Sequence, residues 1–441
     1  MRGAGTGLGL GPLLLIAACL GDSDIPLDGS PERARPLDPS RMVAIGDGFL
    51  AGAQDDALYG SGQTFSVPSL LGGLVGAEDF VQPLIADPGF ALAEEEGGRL
   101  RLVSAFPPVI ERLPRGGPPL LPDLGRPYNN LGVPGALAAE ALSARSGATS
   151  ITGNPFYDLV LRDRGTFAEQ AAELDATLAL VWLGTTDVLV YATAGGDEAL
   201  APGLPTSPAS FAGILEALLD QVREVTAAGA VFNVPDVTRF ASFHAVPTVV
   251  IDPLTGEPVL ITIFERVVNP MTGDTVTVQR QVPVPLIGPD GPLGPGDLVT
   301  MKADSLIEEG IGIPVELNGS GEPLPDRVVL DVGEQFLARE AVDGYNLALG
   351  RLAAERGFAL VDVHALVEEL AEDGIVSDGV LLTTAWLTGQ AFSLDGATLT
   401  PKGYGLVTNA LVDALNERYG TRLPHVRTAT LPGVPLLTAG R

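Results

Sequence analysis

The amino-acid sequence predicts an α/β fold built on a doubly wound parallel sheet. Short apolar runs recur along the chain, as buried parallel strands require, and amphipathic helical patterns lie between them. The composition agrees, since 46% of the 441 residues are hydrophobic and only 18% are charged. A disordered chain lacks that much apolar surface. Strands that alternate with helices indicate a parallel sheet with helices on both faces.

Five apolar runs are predicted to be the strands of this sheet. In chain order they are Met42–Gly46, Tyr128–Val133, Ala179–Gly184, Ala230–Val234 and Phe358–Val363. Helical periodicity is found over Phe211–Leu219 and over Glu334–Glu355, before the last two of these runs. Each of these helices is therefore expected to lead into a strand of the sheet.

Two long segments do not follow this alternation and are predicted to be insertions. Residues from about 80 to 127 are rich in Pro and Gly, and residues 236–331 contain a short repeat, Asp252–Glu257 and Asn269–Asp274. Each copy of the repeat is predicted to be a hairpin turn, so the second insertion is rich in β-hairpins. It should leave the sheet at the carboxyl edge, where open α/β sheets bind ligands. A lid or binding role and a purely structural role both stay open.

The charged residues exclude nucleic acid as an expected partner. The formal net charge is −29, and the chain has only two lysines, Lys302 and Lys402, far apart in sequence. One Cys and three His residues, His244, His364 and His425, cannot form a disulfide framework or a Cys/His zinc site. No cofactor or metal is predicted, although a site made only of carboxylates is formally possible.

The amino terminus predicts export. The apolar run Leu13–Cys19 ends at the only cysteine and is too short to span a membrane. Its last four residues, Ile16–Cys19, resemble a bacterial lipobox, which implies a signal peptide over residues 1–18 and lipid on Cys19. A plain secretory signal is the alternative. Residues 19–40 are Pro-rich and are predicted to link a lipid anchor in the cell envelope to the folded domain, in the outer membrane if the host is Gram-negative.

Four sequence blocks in the folded region resemble a known enzyme family. Met42–Gly52, Tyr128–Ala136, Trp182–Leu189 and Ser393–Tyr404 resemble, in order, the conserved blocks of the SGNH (GDSL-type) hydrolases. The resemblance implies a three-layer α/β/α sandwich with a flavodoxin-like sheet over residues 41–423, followed by a tail, 424–441. It also implies hydrolysis of carboxylic esters, often acyl groups on lipids and glycans.

Three positions that carry this chemistry in the family hold other residues here. The resemblance places the serine nucleophile at Gly48, the histidine base at Thr398 and an oxyanion-binding asparagine at Thr186. Glycine has no side-chain atom to attack a carbonyl, and threonine has no group that titrates near neutral pH. Gly135 matches the second oxyanion glycine, and Asp395 matches the aspartate that orients the base.

These replacements predict a protein that binds its ligand and does not hydrolyse it. Loss of the nucleophile or the base costs on the order of 10⁶ in turnover. An acyl, ester or glycan-type ligand is expected from the resemblance. The candidate ligand-binding residues are Asp47, Gly48, Gly135 and Thr186, and the vestigial site is completed by Asp395 and Thr398.

Two other functions stay open. The chain could be a weak or non-standard carboxylic ester hydrolase with His364 as a relocated base, although His364 also fits an ordinary first-turn helix residue. It could instead be a surface scaffold that binds a protein partner through residues 236–331. Turnover of an ester distinguishes the first of these functions from binding alone.

We predict that Cys19 is acylated. Cys19→Ser should release the protein from membranes and abolish labelling by a radioactive or alkynyl fatty acid, because no other cysteine can carry the lipid. Fractionation of cells that express either form, with in-gel detection of the label, measures both effects. Equal labelling of the two forms would exclude the lipid anchor.

Overall fold

The computed structural model describes residues 37–92 and 97–435, so the predicted signal peptide, Cys19 and most of the linker lie outside the described residues. Its strands, numbered in chain order, are β1 (Met42–Gly46), β2 (Ala57–Leu58), β3 (Phe90–Ala91), β4 (Gly97–Ala105), β5 (Pro108–Pro114), β6 (Asn130–Gly132), β7 (Leu178–Trp182), β8 (Ala228–Phe232), β9 (Leu260–Val268), β10 (Thr275–Pro283), β11 (Ile287–Gly288), β12 (Gly291–Pro292), β13 (Leu298–Val299), β14 (Val329–Leu330), β15 (Ala359–Val361), β16 (Ile375–Ser377) and β17 (Val380–Leu382). Its α-helices are α1 (Gly48–Ala51), α2 (Gly60–Gln63), α3 (Val67–Val75), α4 (Phe156–Val160), α5 (Phe167–Glu173), α6 (Thr185–Thr193), α7 (Pro208–Val225), α8 (Asp304–Glu308), α9 (Val332–Arg356), α10 (Val363–Glu372) and α11 (Pro401–Tyr419).

A five-stranded parallel sheet lies at the centre of the fold, in the order β15-β8-β7-β1-β6. If the five strands are numbered 1 to 5 in chain order, the sheet reads 2-1-3-4-5 from the β6 edge. Every residue of β1, β7 and β8 is buried. Strands buried on both faces need apolar side chains at every position. The prediction of an α/β fold with a parallel sheet is confirmed.

Each of the five predicted runs contributes one strand to this sheet, but the strand ends differ from the predicted ones. The strand predicted over Ala230–Val234 begins and ends two residues earlier, as β8. The strand predicted to reach Val363 ends at Val361, because the Asp362 carboxylate accepts a hydrogen bond from Ala365 N (3.0 Å) and caps α10. The extra apolar residues in these runs pack in the loops and helices that follow.

The two predicted helices are found within α7 and α9. Each begins at a capping side chain: Ser207 Oγ accepts a hydrogen bond from Ser210 N (3.3 Å), and an Asp331 carboxylate oxygen accepts one from Glu334 N (2.8 Å). Helix α7 packs against α5 and α9, and α9 also packs against α6. Helix α11 packs against α3 and α10. The longer helices therefore form two packed groups.

An aromatic stack fixes the carboxyl end of the central strands. The fully buried Trp182, the last residue of β7, lies between Phe49 of α1 and Phe232 of β8, with ring centroids 5.3 Å and 4.9 Å away. Its indole N–H donates a hydrogen bond to Thr185 Oγ1 (3.0 Å). The end of β7 thus holds the first turns of two helices, α1 and α6, in place.

Residues 236–331, the second predicted insertion, contain an apolar cluster of their own, which we call the insertion cluster. Its buried members are Val250, Val284, Leu286, Leu293, Val299, Ala303, Leu324, Val328 and Val329. Strands β13 and β14 pair antiparallel within this segment, with Leu298 opposite Leu330. The insertion therefore has a packed base and is not an open loop.

Both hairpin turns predicted from the internal repeat are confirmed. Asp252 N donates to Glu257 O (2.9 Å), and Asn269 N donates to Asp274 O (2.8 Å) in the other turn. The fifth residue of each turn is a glycine with a φ of 73° or 75°, a conformation that side chains disfavour. The repeated sequence therefore produces the same hydrogen bonds twice.

Strands β9 and β10 form a hairpin that extends from the insertion, and we call it the arm (Leu260–Pro283). Its pairing runs from Leu260 opposite Pro283 to Val268 opposite Thr275, and within the described residues these strands pair only with each other. Most of its side chains are exposed, including Phe264 at 72%. On one face, six of the eight residues are β-branched and apolar, with Glu265 and Arg280 between them: Ile261, Ile263, Val267, Val276, Val278 and Val282.

The first predicted insertion also contains a hairpin, formed by β4 and β5. The sequence indicated no element there, because its Pro and Gly residues hide the alternation of a strand. Phe106 lies at the turn of this hairpin and is 88% exposed. Within residues 37–92 and 97–435, none of the helices is long and apolar enough to cross a bilayer.

Candidate functional site

The site predicted at Gly48 lies where β1 turns into α1. Gly46 ends the strand so close to β7 that a Cβ atom there would lie 2.3 Å from Trp182 O, which only glycine avoids. Asp47 follows and caps α1, because its Oδ1 accepts a hydrogen bond from Phe49 N (3.0 Å). Gly48, the first residue of the helix, has ordinary space around it: an added Cβ would lie 3.5 Å from Pro134 Cα. Position 48 therefore has no side chain, although the packing around it leaves room for one.

Strand order places this turn at a favourable position for a ligand. The chain passes from β1 to β6 on one side and then to β7 on the other, so the order reverses between β1 and β7. In open α/β sheets, ligands bind outside the carboxyl ends of the strands at such a reversal. Gly48 follows the end of β1, and Thr186 follows the end of β7. The predicted site residues thus follow the strand ends at which open α/β sheets of this topology bind ligands.

The carboxyl group of Asp47 joins these two strand ends. Its Oδ2 accepts hydrogen bonds from Thr186 Oγ1 (2.9 Å) and Thr186 N (3.3 Å). The side chain is fully buried, and burial raises its pKa from 3.8 to about 7, while the bonds from Phe49 and Thr186 act in the opposite direction. The Thr186 hydroxyl hydrogen is therefore directed at Asp47, and only its oxygen lone pairs are available to a ligand.

Two backbone N–H groups beside this turn have no acceptor among the described residues. They belong to Gly48, at the start of α1, and to Gly135, whose φ of 77° places it in the left-handed region. Gly48 is partly accessible to solvent and Gly135 is exposed. Pro134, directly before Gly135, is the residue that a side chain at position 48 would touch. The two donors therefore lie in neighbouring backbone segments and can receive a hydrogen-bond acceptor from outside.

Asn154 is a polar residue of this site that the sequence analysis missed. Its Nδ2 donates a hydrogen bond to Pro134 O (2.7 Å) and would lie 3.1 Å from a Cβ atom on Gly135. Its Oδ1 accepts a hydrogen bond from Phe156 N (2.9 Å) at the start of α4. An Asn-Pro pair before an apolar run signals such a cap. Nothing in the sequence, however, indicates that this cap lies beside Gly135.

Asp395 and Thr398 form a second group, in the loop before α11. Thr398 Oγ1 donates to Asp395 Oδ2 (2.5 Å) and lies 2.8 Å from Ser393 Oγ. The Asp395 carboxylate also accepts hydrogen bonds from Asp56 N (2.6 Å), and from Ala397 N and Thr398 N. Its capacity to accept is nearly filled. The group contains hydroxyls and a carboxylate, but no imidazole, the side chain that most often serves as a base near neutral pH.

The short segment after α1 connects the two groups. Ala53 N donates to Gly48 O (3.0 Å), and Asp55 N donates to Ser393 Oγ (2.8 Å). Asp55 is itself partly buried, and this burial raises its pKa to about 6. In the described residues, no hydrogen bond runs directly from Gly48 or Thr186 to Asp395 or Thr398. The structure thus brings Asp47, Gly48, Gly135 and Thr186 together, and brings Asp395 and Thr398 together beside them.

The three histidines lie outside both groups. His364 is in the first turn of α10, after the edge strand β15, with Nδ1 3.2 Å from Val234 O and Nε2 3.7 Å from a Glu368 carboxylate oxygen. Two strands separate β15 from β1, a distance of roughly 14 Å at normal strand spacing. His244 contacts a backbone oxygen, and His425 contacts Asp413 (2.7 Å), a partner that the sequence analysis did not foresee. In the described residues, none of their ring nitrogens contacts Asp47, Gly48, Asp395 or Thr398, although Ser242 N, close to His244, donates to Gly396 O (2.8 Å).

The described residues contain no group of three or more Asp, Glu, His or Cys side chains arranged to hold a metal ion. The site can therefore be described by its own donors and acceptors. No family model matches this chain, and no curated protein matches it either.

Asp47→Asn is predicted to change how stability depends on pH. With a pKa of about 7 in the fold, against 3.8 ordinarily, the folded protein holds this proton more tightly than the unfolded chain. Wild-type stability should therefore fall as pH rises from about 4 to about 7. The variant lacks this effect, so its free energy of unfolding relative to wild type should rise over that range by on the order of 3 kcal/mol. Urea unfolding at several pH values measures it.

Asp343→Asn is the matched control, because Asp343 is an exposed residue of α9. Its difference from wild type should stay constant with pH. If the Asp47→Asn difference is equally constant, Asp47 is charged in the folded protein and the cause assigned to its pKa is wrong.

Proposed function

We propose that this chain is an exported, lipid-anchored protein with an SGNH-hydrolase-like domain that binds an acyl ester or acylated glycan without cleaving it. The observation that carries the proposal is the pair of N–H groups at Gly48 and Gly135, which lack acceptors within the described residues beside a position with no nucleophile. Two solvent-accessible backbone donors in neighbouring segments suit the oxygen of a carbonyl group.

The fold supports this proposal. The strand order is that of flavodoxin-like doubly wound sheets. The two packed helix groups, one around α7 and α9 and one around α11, fit a three-layer α/β/α sandwich. The four blocks that resemble the family lie at β1, β6, β7 and the start of α11. Three of them meet at the carboxyl edge of the sheet.

The side chains support binding over catalysis. Thr398 donates to Asp395 at the position where the family has its base, so the aspartate keeps a partner that cannot accept a proton at neutral pH. His364 contacts Val234 and Glu368 and is separated from β1 by two strands. These contacts argue against the alternative of a weak esterase that uses His364.

Three substitutions are predicted to introduce ester hydrolysis. Gly48→Ser supplies the nucleophile, Thr398→His the base and Thr186→Asn a third oxyanion donor, while Gly135 and Asp395 are already present. A side chain at position 48 has room beside Pro134. Short-chain nitrophenyl esters, acetylated sugars and a fluorophosphonate probe measure the activity. Wild type should bind the ester that the triple variant cleaves fastest, but release it unchanged.

Two further triple variants serve as controls. One carries Gly48→Ala in place of Gly48→Ser and lacks only the nucleophilic oxygen; the other carries Thr398→Phe in place of Thr398→His and lacks only the base. Neither should react, because nucleophile and base act as a unit. A triple variant that is folded by circular dichroism but ignored by every probe would mean that these positions do not form one site, and the proposal would fail.

The arm favours a second candidate function, that of a scaffold that binds a protein partner. Phe264 and one apolar face of the arm are exposed, and a two-stranded hairpin has little stability of its own in water. Its charged residues also balance, with Glu265 and Asp274 against Arg266 and Arg280, in a chain of net charge −29. An acidic partner would therefore not be repelled locally.

Deletion of the arm is predicted to abolish the binding of such a partner without unfolding the protein. Val284 N donates to Val259 O (2.8 Å), so residues 260–283 can be replaced by a two-glycine turn. The free energy of unfolding should change by less than about 1 kcal/mol, because the arm lies outside the apolar clusters. Quantitative affinity purification from envelope extracts, followed by binding to the purified partner, measures the loss.

Point variants provide a matched pair for this experiment. Phe264→Lys should weaken binding of the partner as the deletion does, whereas Phe106→Lys changes an even more exposed phenylalanine on the other hairpin and should have no effect. If both variants and the deletion retain the same proteins as wild type, the arm is not the binding surface.

A further inference from the structure

A cavity of about 570 Å³ lies at the end of α6, away from the predicted site, and we call it the α6 cavity. This volume is within the range of small-molecule sites, roughly 300–1,000 Å³. Its walls come from the end of α6 and the loop after it on one side, and from the insertion on the other. They include Val190, Leu200, Leu306, Val328, Lys302 and Arg327.

The two cations of the α6 cavity have no carboxylate partner in the described part of the chain. Lys302 Nζ contacts only a backbone oxygen, that of Thr193, at 3.4 Å, and Arg327 makes no side-chain hydrogen bond or ion pair there. Acidic residues outnumber basic ones by 55 to 26 in this chain, and Lys302 is one of only two lysines. Asp304 and Asp326 are close in sequence. Burial raises the pKa of Asp326, and Asp197, Asp290 and Asp331 lie near enough to raise it further, but none of these carboxylates lines the cavity. Positive charge is therefore available to a ligand.

The backbone holds these two cations on adjacent turns. Thr300 N donates a hydrogen bond to Val328 O (3.0 Å), which joins the turn that carries Lys302 to the turn that carries Arg327. Val328 itself is buried in the insertion cluster. Both side chains thus extend from a packed base to one cavity.

The rest of the wall is apolar and partly uncovered. Leu200 is 54% exposed and Val190 is 36% exposed, and both line the cavity beside Leu306. An apolar ligand would remove this surface from water. A purely ionic ligand would not use it, and a neutral apolar ligand would not use Lys302 and Arg327.

We infer that the α6 cavity binds a single-chain organic anion, such as a medium-chain carboxylate, with its head at Lys302 and Arg327 and its chain against Val190, Leu200 and Leu306. This site is separate from the one at Gly48. Thr193, at the cavity, is seven residues after Thr186, or roughly 10 Å along the helix. The two sites can therefore be tested one at a time.

Octanoate is the probe, titrated by isothermal calorimetry into the full-length protein that carries Cys19→Ser, with 1-octanol and octylammonium as ligands of similar length. Octanoate should bind saturably, and the other two should bind at least about tenfold more weakly, because 1-octanol has no negative charge to pair with the two cations and octylammonium has the same charge as they do. Lys302→Gln together with Arg327→Gln should weaken octanoate at least about tenfold. Leu200→Glu, which adds a carboxylate to the wall, should do the same.

Arg266→Gln together with Arg280→Gln, and Leu337→Glu on its own, are the matched controls, since they make the same charge changes on the arm and on α9. Both should bind octanoate as wild type does. The inference is overturned if wild type does not bind octanoate, or if octylammonium binds as tightly as octanoate. It is also overturned if the cavity variants have unchanged urea midpoints and bind octanoate as tightly as their controls do.

Discussion

The carboxyl end of the sheet depends on one buried carboxyl group, that of Asp47. It caps α1 through Phe49 N and holds the start of α6 through the backbone and hydroxyl of Thr186. Removing a carboxylate from water is unfavourable, so the fold keeps this group only by surrounding it with donors and by raising its pKa to about 7. The ends of β1 and β7 are thereby fixed relative to each other. The positions of Gly48 and Thr186, and so the geometry of the candidate site, follow from this constraint.

The sequence predicted the strands of the sheet well because burial on both faces leaves an unmistakable pattern. Every residue of β1 is apolar or glycine, and the strand has the predicted ends. The ends of β8 and β15 were not predictable in the same way. They depend on Asn233, whose amide donates to Asp362 (2.7 Å), and on Asp362, which caps α10. The contact between Asn233 and Asp362 joins residues that are more than a hundred positions apart, and no local pattern records it.

The same limit explains what the sequence analysis found and missed in the site. Gly48, Thr186 and Thr398 were identified through motifs, each of which lies within a dozen residues. Asn154 belongs to no such motif and reaches Gly135 only through the fold. The contact between Asp56 N and Asp395 joins residues 339 positions apart. Local signals therefore located the segments of the site, while the hydrogen bonds that decide its chemistry needed coordinates.

These hydrogen bonds also explain why an aspartate can stay at position 395 without a histidine at 398. The carboxylate accepts backbone N–H groups from Asp56, Ala397 and Thr398, so it closes its own loop and ties that loop to the segment after α1. If Asp395 were apolar, these buried donors would lose their acceptor, which costs more than a typical hydrogen bond contributes. Gly135 also has a structural role: its φ of 77° favours glycine, whether or not the site binds a ligand. Asp395 and Gly135 are thus required by the fold itself. Their presence therefore does not indicate catalysis. The proposed function depends on which ligand accepts hydrogen bonds from the N–H groups of Gly48 and Gly135.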